Sequence, residues 1–275
     1  NKIELQGTVD AVLFTNPENG YTVLVLEQAD GEQHTVTGCL PFASPGERIT
    51  AVGTWTRHPT YGRQLKADYA MRMIPEGLDA IYEYLASHII KGIGPATAAM
   101  IVEKFGEASL EVIEHQPELL TQLRGISRAK AEDISACYKR QMGIRRLMEF
   151  LARYEIRPVH AMHLYRLYGE EAQERVQENP YLLATDQVGA GFEEADTLAI
   201  QIGIEADAPE RVAAAILFEL TYNLGNGHCF IPKEKLLAVT AQLIEVETET
   251  VAECLEALCD SGDVVMETVA GREAC

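Results

Sequence analysis

Two short glycine turns hold the residues best suited to chemistry in this chain. Gly92-Ile93-Gly94 has Lys91 before it and Thr97 after it, while Gly125-Ile126-Ser127 has Arg124 before it and Arg128 and Lys130 after it. Glycine tolerates positive φ and carries no side chain, so successive backbone N–H groups can converge on one anion where a helix begins. The central isoleucine is expected to anchor the turn in a core. Pro95 suits a first helical turn, where its missing N–H costs nothing, and Ser127 can cap its helix in place of a second glycine. Amides of this kind beside cationic side chains fit phosphate oxygens. The candidate phosphate-binding set is therefore Lys91, Gly92, Ile93, Gly94, Thr97, Arg124, Gly125, Ile126, Ser127, Arg128 and Lys130.

A second cluster surrounds the loop His58-Pro59-Thr60-Tyr61-Gly62-Arg63. Trp55, Tyr61 and Tyr69 fall near Arg57, Arg63 and Lys66. Aromatic and cationic side chains together can stack on bases and follow a single strand, so Trp55, Tyr61 and Arg63 are candidate contacts for one. Core packing for Trp55 and a solvated loop for the rest is the alternative, and a purely structural barrel is another. His160 and His163 are three apart, but no cysteine or carboxylate cluster supports them as metal ligands. The chain has no Gly-x-x-x-x-Gly-Lys-[Ser/Thr] loop, so ATP hydrolysis by that route is not expected of it. No catalytic residue and no cofactor is expected in these 275 residues.

The two turns belong to a repeat. Shifting the sequence by 63 aligns Ile93 with Ile156, Pro95 with Pro158, Ala98 with Ala161, Gly106 with Gly169 and Pro117 with Pro180. Within each block a tripeptide followed four residues later by alanine occurs twice. The four copies are Gly92-Ile93-Gly94 with Ala98, Gly125-Ile126-Ser127 with Ala131, Glu155-Ile156-Arg157 with Ala161, and Gly189-Ala190-Gly191 with Ala195. This is the pattern of tandem helix-hairpin-helix units, the alanine permitting two helices to approach closely. The third copy lacks both glycines and places Glu155 where an anion would come, so it is expected to be structural. The fourth is followed by Glu193 and Glu194 and is expected not to hold phosphate.

Upstream, residues 3 to 73 read as five short strands: Ile3 to Phe14, Tyr21 to Leu26, His34 to Thr37, Ile49 to Trp55 and Gln64 to Met73. Asn19-Gly20, Asp30-Gly31 and Pro45-Gly46 break them. That count fits a small closed barrel, OB-like, with an SH3-type barrel giving a similar pattern. From Pro75 the period becomes helical, with Leu78, Ile81, Tyr82 and Leu85 as one stripe. After residue 208 come a helix from Pro209 to Leu224, two more helices ending with Glu249 to Cys259, and a strand from Val264 to Met266. These suggest a winged helix cut off before its wing closes. The fold class expected is multidomain, mainly α with an N-terminal all-β barrel. Its divisions are 1–75 barrel, 76–140 first hairpin pair, 141–208 second, degenerate pair, and 209–275 winged-helix-like segment.

Charge sharpens this division. The formal net charge is −19, and residues 206–275 hold 4 basic against 13 acidic side chains, so direct nucleic-acid contact is not expected of the last segment. Arg124 to Arg157 instead contains nine basic residues, expected to form the phosphate-binding face. No apolar run approaches the roughly 18 residues a membrane span needs, so no membrane partner is expected. The six scattered cysteines read as reduced thiols of a cytoplasmic protein. The chain opens at Asn1 without a methionine and stops at Cys275 after a strand-like stretch, so it is expected to be part of a longer protein.

With barrel, hairpins and winged helix in this order, the sequence resembles the N-terminal region of RecD-like ATP-dependent DNA helicases, the longer relatives of the exonuclease V alpha subunit. The resemblance rests on Asn16-Pro17-Glu18-Asn19-Gly20-Tyr21, His58-Pro59-Thr60-Tyr61-Gly62-Arg63-Gln64, Gly92-Ile93-Gly94-Pro95-Ala96-Thr97-Ala98, and Glu178-Asn179-Pro180-Tyr181 leading to Gly189-Ala190-Gly191-Phe192. It implies a bacterial superfamily 1 motor that moves 5′ to 3′ on single-stranded DNA in repair or recombination. ATP and magnesium would serve that motor, and this region's partners would be DNA and its own motor domains. A protein-docking scaffold with little DNA contact is the alternative, and an independent nuclease is disfavoured for want of a metal-binding spacing.

Overall fold

The computed structural model describes residues 2–269 and 271–275. The chain divides into two compact units, Asn1–Glu170 and Glu171–Cys275.

The first unit opens with a closed barrel of β1 (Ile3–Thr15), β2 (Tyr21–Glu27), β3 (Gln33–Cys39), β4 (Arg48–His58) and β5 (Gly62–Arg72), ordered β1-β2-β3-β5-β4. Every pairing is antiparallel except β3 with β5, and that one parallel pair distinguishes this OB topology from the SH3-type alternative. Closure depends on β1 serving two neighbours: Ile3 to Thr8 pair with β4, while Thr8 to Thr15 pair with β2. Register shifts between Val9 and Ala11 and between Val12 and Phe14 bend the strand where it changes partner. Alternating residues fill the interior, with Leu24, Leu26, Val36, Ala51 and Leu65 fully buried.

Helices follow: α1 (Leu78–Ala86), α2 (Pro95–Phe105), α3 (Ser109–His115), α4 (Arg128–Ala152) and α5 (Pro158–Tyr168), with a 3-10 helix at Pro117–Gln122 before α4. The α1 stripe differs from the expected one at two positions, since Tyr84 is buried where Tyr82 is only half-buried, and Leu78 is exposed. The division expected between residues 140 and 141 falls inside α4, which runs unbroken for 25 residues. Nothing between Arg128 and Ala152 supplies a stop, so one helix closes the second hairpin and opens the third.

A buried ion network fastens the barrel to α4. Glu47 receives Arg72 Nε at 2.8 Å, Arg72 Nη2 at 2.6 Å and Arg145 Nη1 at 3.2 Å. Both arginines also donate to the Phe42 carbonyl, at 2.7 and 2.9 Å. Burial, followed by the charge of Arg72, pushes the Arg145 pKa down, and Glu47 opposes that shift.

The second unit contains α6 (Ala172–Glu178), a 3-10 helix at Pro180–Ala184, α7 (Phe192–Gln201), α8 (Pro209–Gly225), α9 (Lys233–Ile244) and α10 (Thr248–Ser261). Val264 to Met266 is not a strand. The strands are β6 (Glu267–Val269) and β7 (Arg272–Ala274), which form a hairpin. Cys275 and Ile231 exchange backbone hydrogen bonds at 2.8 and 2.9 Å, so the chain before α9 joins the hairpin and the wing closes within the described residues. The sequence reading placed the strand too early because Val264 and Val265 are apolar, whereas Val264 is used for burial beside α10.

Candidate nucleic-acid interface

All four tripeptides form turns between helices, and all four central residues are buried: Ile93 at 2 %, Ile126 at 5 %, Ile156 at 3 % and Ala190 at 8 % exposure. The alanines four residues beyond the turns, Ala98, Ala131, Ala161 and Ala195, are buried without exception. Ile93, Ile126, Ala98 and Ala131 share one core with Ile101 and Ile134, so the first two hairpins form a single packed pair. The leading residue of three turns is a glycine in the left-handed region, with φ of 95° at Gly92, 85° at Gly125 and 80° at Gly189. In the third, Glu155 adopts φ 59° without being glycine.

The hairpins differ in where their amides go. Among the hydrogen bonds of the described residues, the N–H groups of Gly92, Gly94, Ala96 and Thr97 have no internal acceptor; Ile93 donates to the Ile90 carbonyl at 3.1 Å and Ala98 to Gly94 at 2.8 Å. Likewise the N–H groups of Gly125, Ser127, Arg128 and Ala129 have none, while Ile126 donates to Leu123 at 3.2 Å. Ser127 caps α4 as expected, its hydroxyl accepting from the Lys130 N–H at 3.2 Å. Gly92, Ala96, Gly125, Ser127, Arg128 and Ala129 are exposed.

In the third hairpin the Glu155 and Ile156 amides donate to Ala152 and Leu151 at 3.1 and 3.2 Å. In the fourth, Gly189 donates to Thr185 at 2.8 Å, Ala190 to Leu183 at 3.0 Å, and Gly191 to the Glu194 carboxylate at 3.1 Å. That carboxylate occupies the place an anion would take. Only the first pair leaves its leading turn amides unoccupied among the described residues.

Cations gather at this first pair. Lys91 and Arg124 are exposed. A Cβ built at Gly92 would meet Ile134 Cγ1 at 3.4 Å and Lys130 Cε at 3.7 Å, so the Lys130 stem from the second hairpin lies against the first. His88, which the sequence reading missed, adopts φ 61°, and its Cε1 would be 3.2 Å from a Cβ at Gly94. The second glycine, at φ −117°, thus makes room for a ring and does not serve a left-handed turn. Spacing alone gives no sign of His88, because its place depends on the path of the chain between α1 and the turn.

The basic run from Arg124 to Arg157 is not one face. Arg145 is consumed by Glu47, Arg146 donates to Glu114 at 2.7 Å, and Arg128 pairs with Glu132 at 3.0 Å. The Arg128 pair is exposed on both sides and weakly held, so its guanidinium remains available. Helical periodicity spread these cations around α4, which a linear count could not reveal.

At the barrel loop, Trp55 is half-buried against the core, and the Arg63 guanidinium lies 4.0 Å over its ring. His34 meets the same ring edge-on at 5.3 Å. Tyr61 is 76 % exposed at the tip, next to His58. Tyr69 does not join them: opposite Val52, it lines a small cleft with Pro41, Met148 and Pro158. Lys66 alternates to the other strand face from Arg63.

In the second unit, Tyr181, Phe192, Phe218 and Tyr222 form a row of stacked rings with centroids 5.9, 5.2 and 6.0 Å apart. Asp196 accepts from Tyr181 at 2.6 Å and from Arg211 at 2.8 and 3.0 Å. Burial raises the Asp196 pKa, but the hydrogen bonds from Arg211 and Tyr181 and the Arg211 charge outweigh it, leaving the carboxyl below its ordinary value. On α10 the residues Glu249, Glu253, Glu256 and Asp260 are all exposed and form an acidic surface.

The fold is thus a closed OB barrel followed by tandem hairpins. The comparisons narrow the class. Residues 2–75 match the family described as the OB-fold domain of the ATP-dependent DNA helicase YrrC. Residues 140–230 match the HHH domain of the ATP-dependent RecD2 DNA helicase. The ATP-dependent RecD2 DNA helicase of Deinococcus radiodurans is 26% identical over 239 residues, covering 84% of this chain and 33% of that relative. Two separate stretches of the chain are thus similar to the OB and HHH domains of RecD-like helicases, and the chain spans about one third of the length of that relative.

Proposed function

We propose that this chain is a sequence-independent DNA-binding accessory region of a RecD-like 5′-to-3′ DNA helicase acting in repair or recombination in the bacterial cytoplasm. Backbone amides of the first two hairpins hold phosphates, and Lys91, Arg124, Arg128 and Lys130 add charge. The observation that carries the reading is the contrast among the four turns: two have unoccupied exposed amides with cations beside them, and two have amides already bonded. Unpaired amides at a helix start, reinforced by its dipole, favour an anion. Such contacts touch no base edge, so binding is independent of sequence. ATP and magnesium belong to the motor of the parent protein, which this region would accompany.

Fluorescence anisotropy with labelled single-stranded, double-stranded and forked DNA at several salt concentrations tests the proposal. With about four phosphates neutralised, log affinity falls against log salt with a slope of roughly −3 to −4. No binding at low salt to any of the three removes it.

The acidic surface of α10 favours a second reading, in which the region docks the motor or a repair partner. Under that reading Arg128→Glu with Lys130→Glu leaves DNA affinity unchanged, whereas partner capture depends on residues 206–275.

A further inference from the structure

Arg57 and Arg63 face each other directly across the β4–β5 ladder, in a register that runs without irregularity from Gly53 opposite Ala67 to His58 opposite Gly62. Like charges in opposed cross-strand positions destabilise a sheet. Both side chains are exposed, and neither forms an ion pair among the described residues. Lys66 adds its charge on the opposite face of the same strand. Two exposed guanidinium groups opposed in this way can be bridged by one anion.

We propose that Arg57 and Arg63 hold one phosphodiester of a single nucleic-acid strand, with an adjacent unpaired base on Tyr61. The Arg63 guanidinium is already held over Trp55, its Cζ 4.0 Å from the ring centre, and a planar guanidinium so placed loses little freedom on gripping two phosphate oxygens. Trp55 is the platform for this arginine and not a base-stacking ring, since it is half-buried and already covered. The exposed ring is Tyr61. Its turn is fixed by His58 Nδ1, which accepts from the Thr60 and Tyr61 amides at 3.1 and 3.2 Å, and the two rings sit 4.8 Å apart. A ring presented in this way suits an unpaired base, and base–aromatic stacking tolerates any sequence. The site shares no residue with the hairpins and stands or falls apart from them.

Trp55 is the one tryptophan in the chain, so its emission reports on this site. Titration of the full chain with a short oligothymidine at low salt should change that emission saturably, and an oligouridine of equal length should do the same. Arg57→Glu with Arg63→Glu should abolish the change, weaken binding roughly tenfold or more, and flatten the single-strand salt slope by about 1.4. Lys91→Glu with Lys130→Glu should leave the emission change intact, which separates this site from the hairpins. Arg57→Ala should leave the melting temperature unchanged or raise it, because it relieves a repulsion. The proposal is overturned by emission that no oligonucleotide moves, by an emission response that survives the double arginine reversal, or by a melting temperature that falls in Arg57→Ala.

Discussion

Replacing Glu47 with glutamine should destabilise the Asn1–Glu170 unit by about 3–5 kcal/mol. The Glu47 side chain is 1% exposed, and the arginines it binds, Arg72 and Arg145, are 7% and 8% exposed. Glutamine keeps the volume but turns one acceptor oxygen into an N–H donor aimed at guanidinium N–H groups. Two buried positive charges are then left without a counter-charge, with one amide oxygen and the Pro41 and Phe42 carbonyls as acceptors. Removing one member of a buried ion cluster leaves desolvated charge behind, which sets the magnitude. For a unit of this size the loss corresponds to a fall in melting temperature of roughly 6–20 °C. Urea and thermal unfolding followed by circular dichroism measure it. Arg145→Met placed on top of Glu47→Gln should recover part of the loss, because it removes one uncompensated charge. A loss below about 1 kcal/mol, or no recovery in the double variant, would refute the argument that this network fastens the barrel to α4.

Glu155→Gly should stabilise the same unit by roughly 0.5–1 kcal/mol, since Glu155 holds a left-handed φ that its three counterparts fill with glycine; chemical denaturation reads the gain. Ser127→Ala removes the cap on the Lys130 amide and should cost about 1 kcal/mol by the same assay. In the second unit, the depressed Asp196 pKa contributes stability that is fully present above its unfolded value of about 4 and is lost as pH falls through the folded pKa. A pH series of urea melts should show this acid loss, and Asp196→Asn should flatten it. The Cys39 thiol, pushed up to about 12 by burial, should react with a thiol reagent far more slowly at neutral pH than the exposed Cys229, as peptide mapping would reveal.

The repeat was legible because its marks are local. A buried apolar residue at each turn centre and an alanine four residues on are packing requirements that spacing displays directly. Barrel topology was less legible, since five strands of similar length are compatible with OB and SH3-type closure. The parallel β3–β5 pair that decides between them joins residues far apart in sequence. The extent of α4 was missed because the repeat suggested a boundary where the chain had no physical reason to break. Among the candidate site residues, Gly92, Gly125, Ser127 and Lys130 have the local geometry expected from sequence. The fate of Arg145 depended on Glu47 and could not be read from the basic run around it. The fourth turn was partly legible, because Glu194 stands where a capping carboxylate would, but the acceptors in Thr185 and Leu183 come from a fold-back that spacing does not encode.

Selective labelling of the 21 glycines with nitrogen-15, followed by amide NMR during titration with short DNA at low salt, tests the central claim most directly. The account predicts that Gly92, Gly94 and Gly125 shift early and together while Gly189 and Gly191 stay in place. Shifts at Gly189 and Gly191 with the first three unmoved would contradict it.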